Sequence, residues 1–171
     1  MRKFIIILFI VNFTYAQETL ILNDKASKIT YNARHALSNW QGTNCNIKGV
    51  LVYEEGISKI AIAAKIQEFN SSNSERDILL LDFLNPFRFP FIKFYSDDIK
   101  KSGNTILFNG IIELNGQKKS ILVYSTLKND EDSIVINGKF RLIPSEFLIE
   151  LPSFMLVKME DFLNIQFELK F

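Results

Sequence analysis

Apolar and polar residues alternate along most of this chain. Between Leu163 and Phe171, the residues Leu163, Ile165, Phe167, Leu169 and Phe171 take turns with Asn164, Gln166, Glu168 and Lys170. That period of two is the mark of an antiparallel strand with one buried face. Ser133 to Leu142 repeats it with Ile134, Ile136, Phe140 and Leu142, and Thr105 to Leu114 with Ile106, Phe108, Ile112 and Leu114. Asn115-Gly116 then predicts a tight hairpin into Lys118 to Leu127, because both residues accept the left-handed backbone such a turn requires. Further strands are expected at Thr19 to Asn23, Lys28 to Ala33, Asn46 to Tyr53, Lys59 to Glu68 and Pro90 to Ser96. In residues 57 to 68, Ile60, Ile62, Ala64 and Ile66 share one face while Lys59, Ala61, Ala63 and Lys65 share the other, wetter one. About nine such segments, wet outside and greasy inside, predict a closed or nearly closed antiparallel barrel of about eight strands.

One stretch breaks the period. Ser74 followed by Asp77 is a helix-start pattern, in which the hydroxyl and the carboxylate meet the first unpaired amides. Asn85-Pro86 closes the segment, since proline cannot continue the hydrogen-bond ladder and restricts the residue before it. Ile78, Leu79, Leu80, Leu81, Phe83 and Leu84 lie between. So little polar face remains that the helix is expected to be covered on most sides.

The first sixteen residues follow other rules. Arg2 and Lys3 precede an apolar run from Phe4 to Phe13, and Thr14-Tyr15-Ala16 ends in small residues. This is the layout of a secretory signal peptide with cleavage after Ala16, and the run is too short for a membrane anchor. Residues 17–171 are then one domain, mainly β, and removal of Arg2 and Lys3 takes the net charge from +1 to −1. Such a charge is no nucleic-acid footprint.

Material for catalysis is sparse. His35 and Cys45 are the single histidine and the single cysteine. A nucleophilic pair needs them in contact with an orienting group, and a zinc site needs further ligands. His35 is therefore read as a structural hydrogen-bonding residue and Cys45 as a small buried or half-buried filler. Asp97-Asp98 and Glu54-Glu55 are read as charges at strand ends, the seven glycines as turn and bulge residues, and Asn129 to Asp132 as a solvated hairpin loop. No enzyme activity and no cofactor are expected. The sixteen phenylalanines are the unusual part. A barrel of about eight strands either fills with side chains or holds one small ligand, and composition leaves both open.

Tyr31-x-x-x-His35, Gly42, Gly49, Glu75-Arg76-Asp77, Asp82-Phe83-Leu84-Asn85, Phe89-Pro90-Phe91-Ile92-Lys93-Phe94, Asn109-Gly110 and Leu114-Asn115-Gly116 together resemble the YceI-like family, from about Lys28 to Phe171. The resemblance implies a lipocalin-like barrel exported to the periplasm or beyond, with an internal pocket for a polyisoprenoid or another long apolar chain. It implies a binding protein without a catalytic residue set. Departures from the family pattern are Ala36 after the histidine, Ile78-Leu79-Leu80 where a histidine-leucine pair is usual, a shorter helix, and Gln117-Lys118-Lys119 after the Asn-Gly turn.

From strand phase, the candidate pocket wall is Ile60, Ile62, Phe108, Ile112, Ile121, Val123, Phe140 and Phe167. Trp40, in a turn-rich segment, is expected to lid one end or join the wall. His35 either meets a ligand head group near the entrance or ties the first strands together. Arg76 and Asp77 are expected to fix the helix start to the barrel by charge-assisted hydrogen bonds. The expected partner is a long apolar small molecule, with no nucleic acid and no stable membrane anchor, the chain acting alone or as a homodimer.

Overall fold

The computed structural model describes residues 17–35, 38–130, 133–151, 153–154 and 157–171. The expected signal peptide, Ala36, and Glu131 and Asp132 of the expected charged loop lie outside the described residues. The strands are β1 (Glu18–Ile21), β2 (Lys28–His35), β3 (Ser38–Asn44), β4 (Ile47–Tyr53), β5 (Ile57–Lys65) and β6 (Phe91–Ser102). They continue as β7 (Thr105–Leu114), β8 (Gln117–Asp130), β9 (Ser133–Leu142), β10 (Ser153–Phe154), β11 (Val157–Lys158) and β12 (Leu163–Lys170). Among the described residues the α-helix, α1, is Ser74–Leu84. Ten strands form one curled antiparallel sheet in the order β1-β4-β5-β6-β7-β8-β9-β12-β2-β3, and β10 pairs only with β11.

The alternating segments map onto nine of these ten strands, and the one they miss is β3. Its sequence, SNWQGTN, carries a single large apolar residue, so no alternation announces it. Its partner β2 makes it a strand by pairing from Ile29↔Asn44 to His35↔Ser38. β6 also outruns its expected end at Ser96, continuing through a bulge between Ser96 and Asp98. Asp97 and Asp98 are therefore mid-strand residues, not strand-end charges. The bulge turns both outward, where Tyr95 Oη donates to Asp97 over 2.9 Å and Asn109 Nδ2 to Asp98 over 2.8 Å. β5 ends sooner than expected, since Ile66–Glu68 closes into a 3-10 turn that buries Ile66. The Asn115-Gly116 hairpin forms as expected, with positive φ at both residues.

The sheet edges β1 and β3 do not pair with each other. Short staples draw the curled sheet together instead. Leu22 donates to Gly49 of β4 and Asn23, its neighbour, to Lys170 of β12, over 3.0 and 2.8 Å. Thr43 of β3 exchanges two backbone hydrogen bonds with Asn70, and Asn44, fully buried, donates from Nδ2 to the carbonyl of Lys65 at 2.9 Å. Nearby, Lys48 pairs with Asp24 at 3.1 Å and holds that carboxyl below its ordinary range.

Three apolar clusters fill the inside. Leu51, Ile60, Phe108, Val123, Ile136 and Leu169 belong to the one at the end where Leu22 crosses. Ile112, Leu142, Phe147 and Ile149 lie toward α1, and Tyr31, Ala33, Ala64, Phe69 and Met159 form the third group.

Candidate ligand-binding cavity

α1 and the described residues between Pro144 and Met159 cover one end of the barrel. Asn73 caps α1, its side chain accepting from Arg76 N at 3.0 Å. The expected cap, Ser74, is the first helical residue instead. Asn73 is preferred because its backbone is already extended while its amide oxygen reaches the third helical amide. Asp77 does not close a capping box either. Its carboxylate accepts from Ser71 N at 3.0 Å and so braces the preceding loop. Asn85 ends the helix in the left-handed conformation, φ 42°, ahead of Pro86. Arg76 reaches across to β3 and stacks over Trp40, 5.6 Å from the ring centre. Arg76 thus ties the helix start to the barrel through a cation–π contact in place of the expected charge-assisted hydrogen bonds, while Asp77 holds the loop.

The expectation that α1 is covered on most sides is corrected. Leu84 is buried and Leu80, Leu81 and Phe83 are half-buried, but Ile78 is 60% exposed and Leu79 41%. The helix lies across the barrel mouth and has only one face to bury.

The second cover is pinned at its ends. Asn115 Nδ2 donates to the carbonyls of Phe147 and Leu148 at 3.0 and 3.3 Å, and Asp161 accepts from Ser145 N and from Ser145 Oγ. Glu160 N donates to the Arg34 carbonyl at 3.0 Å, and the two side chains approach to 3.7 Å. A helix and a pinned loop therefore share the closure of the mouth.

Beneath them lies a cavity of about 160 Å³. Of the expected wall, Ile60, Ile62, Phe108, Ile112, Val123, Phe140, Phe167 and Trp40 line it, with Trp40 in β3 and not in a turn. Ile121 packs into the adjoining clusters without lining it. His35 lies outside the lining too, buried with Nε2 2.9 Å from the carbonyl oxygen of Val157, a structural hydrogen bond that ties β2 to the cover. Cys45 is a free thiol but exposed, which corrects its reading as a filler. It follows Asn44 at one end of the β2–β3 hairpin, whereas His35 stands at the other, so no nucleophilic pair is assembled. No cluster of three metal-ligating side chains occurs among the described residues.

Several lining residues escape the strand-phase reading. Ile29, Tyr31 and Ala33 come from β2, Phe69 from the loop before α1, and Leu80, Phe83 and Leu84 from α1 itself. The alternation Ile29-Tyr31-Ala33 carried the signal for the first three. Glycines also shape the wall. Gly42, Gly110 and Gly138 are strand residues, not turn residues, and aromatic rings of Tyr31, Phe94 and Phe167 occupy the space where their side chains would be. Rings laid flat along the wall leave room in the middle.

The lining holds few polar groups. Lys93 and Glu160 contribute to it, but Lys93 Nζ pairs with Glu113 at 3.2 Å and Glu160 turns to Arg34. Tyr31 also contributes to the lining. It is only 6% exposed, and burial, together with the nearby Asp77 carboxylate and against the pull of Arg76, pushes its pKa up to about 12.

A family model for the YceI-like domain matches residues 21–171. The chain belongs to the YceI-like family. Among YceI-like relatives, a UPF0312 protein of Photorhabdus laumondii is 27% identical over 108 residues, which make up 60% of this chain and 56% of that one. The chain thus spans a little over half the length of that relative. Among solved structures, Burkholderia cenocepacia BcnA superposes with a TM-score of 0.79 at 14% identity, covering 88% of this chain and 99% of that one. A polyisoprenoid-binding domain from Saccharophagus degradans gives 0.71 at 10% identity, covering 92% and 98%. At such identities the likeness is one of fold, and the fold is the YceI-like barrel.

Proposed function

We propose that the protein is an exported carrier that holds a long apolar chain, an isoprenoid or a lipid tail of similar shape, by burial alone and without covalent chemistry. The observation that carries this reading is the covered cavity, walled by aliphatic and aromatic side chains from at least five strands and from α1. Membership of the YceI-like family supports it, as does a structural neighbour described as polyisoprenoid-binding. Each methylene moved from water into such a site contributes roughly 0.8 kcal/mol, less several kcal/mol for ordering the chain. A few isoprene units therefore suffice for micromolar binding, near −8 kcal/mol.

Volume favours a second reading of another class. An engineered cavity of about 150 Å³ takes one benzene ring. At about 160 Å³ the covered interior takes a fragment of that size, so a full polyisoprenoid requires the cover to move. In the second reading the barrel is a nearly filled structural or protein-interaction module of the cell envelope. Titration with a fluorescent polyprenyl probe, beside native mass spectrometry of protein purified from its own envelope, separates the two. Saturable binding and a co-purified lipid mass support the carrier; their joint absence leaves the structural module.

A further inference from the structure

The outer wall carries a ridge beside a groove. Between Lys59 and Lys65 the outward residues of β5 are Ala61 and Ala63, and their cross-strand partners on β6 are Tyr95 and Lys93. Small side chains thus run down one strand and long ones down the next. Register extends the apolar part sideways into a single row, Ile21↔Val50↔Ala61↔Tyr95↔Ile111, across five strands. At about 4.8 Å between strands the row is roughly 19 Å long, and every large residue in it is exposed. Apolar residues scattered singly over a surface are ordinary, but a contiguous row of them marks a contact.

The charges follow the same plan. Lys59 closes one end of the groove, one residue beyond the Ile60↔Ser96 pair, and Asp97 closes the same end of the ridge. Among the described residues no ion pair engages either of them. One strand further out stand Lys48, level with Ala63, and Glu113, level with Lys93. The two sides of the β5–β6 line therefore answer each other: Ala61 to Tyr95, Val50 to Ile111, Lys59 to Asp97 and Lys48 to Glu113. A surface that is complementary to itself in this way fits a second copy turned about a two-fold axis.

We propose that this wall is the contact face of a homodimer, with the two-fold axis along the line between β5 and β6. Turning a second copy about that axis lays its Tyr95 ridge in the Ala61–Ala63 groove of the first, and the first ridge in the second groove. Each Lys59 then meets the other copy's Asp97. Each Lys48 meets the other copy's Glu113, joining the pairs that Lys48 makes with Asp24 and Glu113 with Lys93 and Lys118. Two convex walls touch along one line and part on either side of it. The alanines sit beside that line, and the long chains of Lys48 and Glu113 stand where the gap widens. Pairing through the side wall is independent of what the interior holds.

Sedimentation equilibrium of the protein purified from cells reads the association, in reducing buffer so that the exposed Cys45 thiol links no copies. Wild type should be a dimer at micromolar concentration. Ala61→Glu sets a carboxylate against the partner's ring and should raise the dissociation constant about a hundredfold or more. Phe87→Ser, which removes a still more exposed apolar residue beyond α1, should leave it unchanged. Lys59→Asp alone and Asp97→Lys alone should each weaken pairing about tenfold, and the double variant, with the signs exchanged, should return to within about threefold of wild type. Damage to the fold is not repaired by such an exchange. A wild type that stays monomeric to about millimolar concentration overturns the dimer. So does a dimer that Ala61→Glu leaves intact, or a double variant no tighter than the single ones. Monomeric protein that sediments with phosphatidylcholine vesicles overturns it in favour of a membrane surface.

Discussion

The ring of Tyr31 occupies the space that a side chain on Gly42, its cross-strand partner, would fill. Phe167 stands in the same relation to Gly138 across the β9–β12 pair. In both places the missing Cβ lets a large ring lie against the sheet. Gly42→Ala should therefore force Tyr31 off its seat and destabilise the fold by about 1–3 kcal/mol, as overpacking does. Urea unfolding of Gly42→Ala and of Gly42→Ala with Tyr31→Ala checks it. The added methyl should cost much less in the double variant than in the single one.

Ile62 and Phe108 offer opposite tests of the interior. Phe108 is 2% exposed and lines the cavity, so Phe108→Ala should cost about 3–5 kcal/mol in chemical denaturation. Ile62→Phe should project a ring into the cavity and abolish binding of the polyprenyl probe, with a stability change of about 1–3 kcal/mol at most. Undiminished probe binding by Ile62→Phe would place the ligand elsewhere.

Asn73, not Ser74, should carry the cap of α1. Asn73→Ala should cost about 1 kcal/mol, whereas Ser74→Ala should be close to neutral. Thermal melts of the two variants, side by side, give the answer. Asp77→Ala should fall between them, because its carboxylate holds Ser71 and not an amide of the helix.

Alkaline stability should carry the signature of Tyr31. Its folded pKa is raised to about 12 against an ordinary value of 10.0, so between those values the folded protein retains a proton that the unfolded chain has lost. The associated stability is complete below pH 10 and declines as pH rises toward 12, by roughly 2–3 kcal/mol in all. The difference between wild type and Tyr31→Phe, followed by urea unfolding across that window, should show this decline, since the other tyrosines cancel.

Export should leave a mature chain that begins at Gln17. N-terminal sequencing of protein from the cell envelope or medium checks it, with a cyclised glutamine as the expected first residue. Recovery with Met1 in place would remove export from the proposal.

What the sequence made legible was local. Asn115-Gly116 specifies its own turn, Asn85-Pro86 specifies where α1 stops, and the alternation through Leu163 to Phe171 specifies which face is buried, each within a few residues. What it hid depends on partners far along the chain. β3 exists because β2 pairs with it, and nothing in Ser38–Asn44 alone predicts that. Ile121 has the right phase but packs between clusters, and the inward glycines are visible only once the ring across the strand is known. The helix misled in a different way. Its apolar content suggested full cover, but a lid has only one side to bury, and Ile78 and Leu79 are left in contact with water.

A barrel closed by hydrogen bonds on every side has its girth set by strand number and stagger. This one is a ribbon of ten strands whose two edges are held by staples at Asn23, Asn44 and Thr43. Each staple contributes only about 1 kcal/mol net. The ladders between neighbouring strands do not run across that seam. Parting the seam of this molecule costs a few separate hydrogen bonds, whereas parting a closed barrel costs a whole ladder.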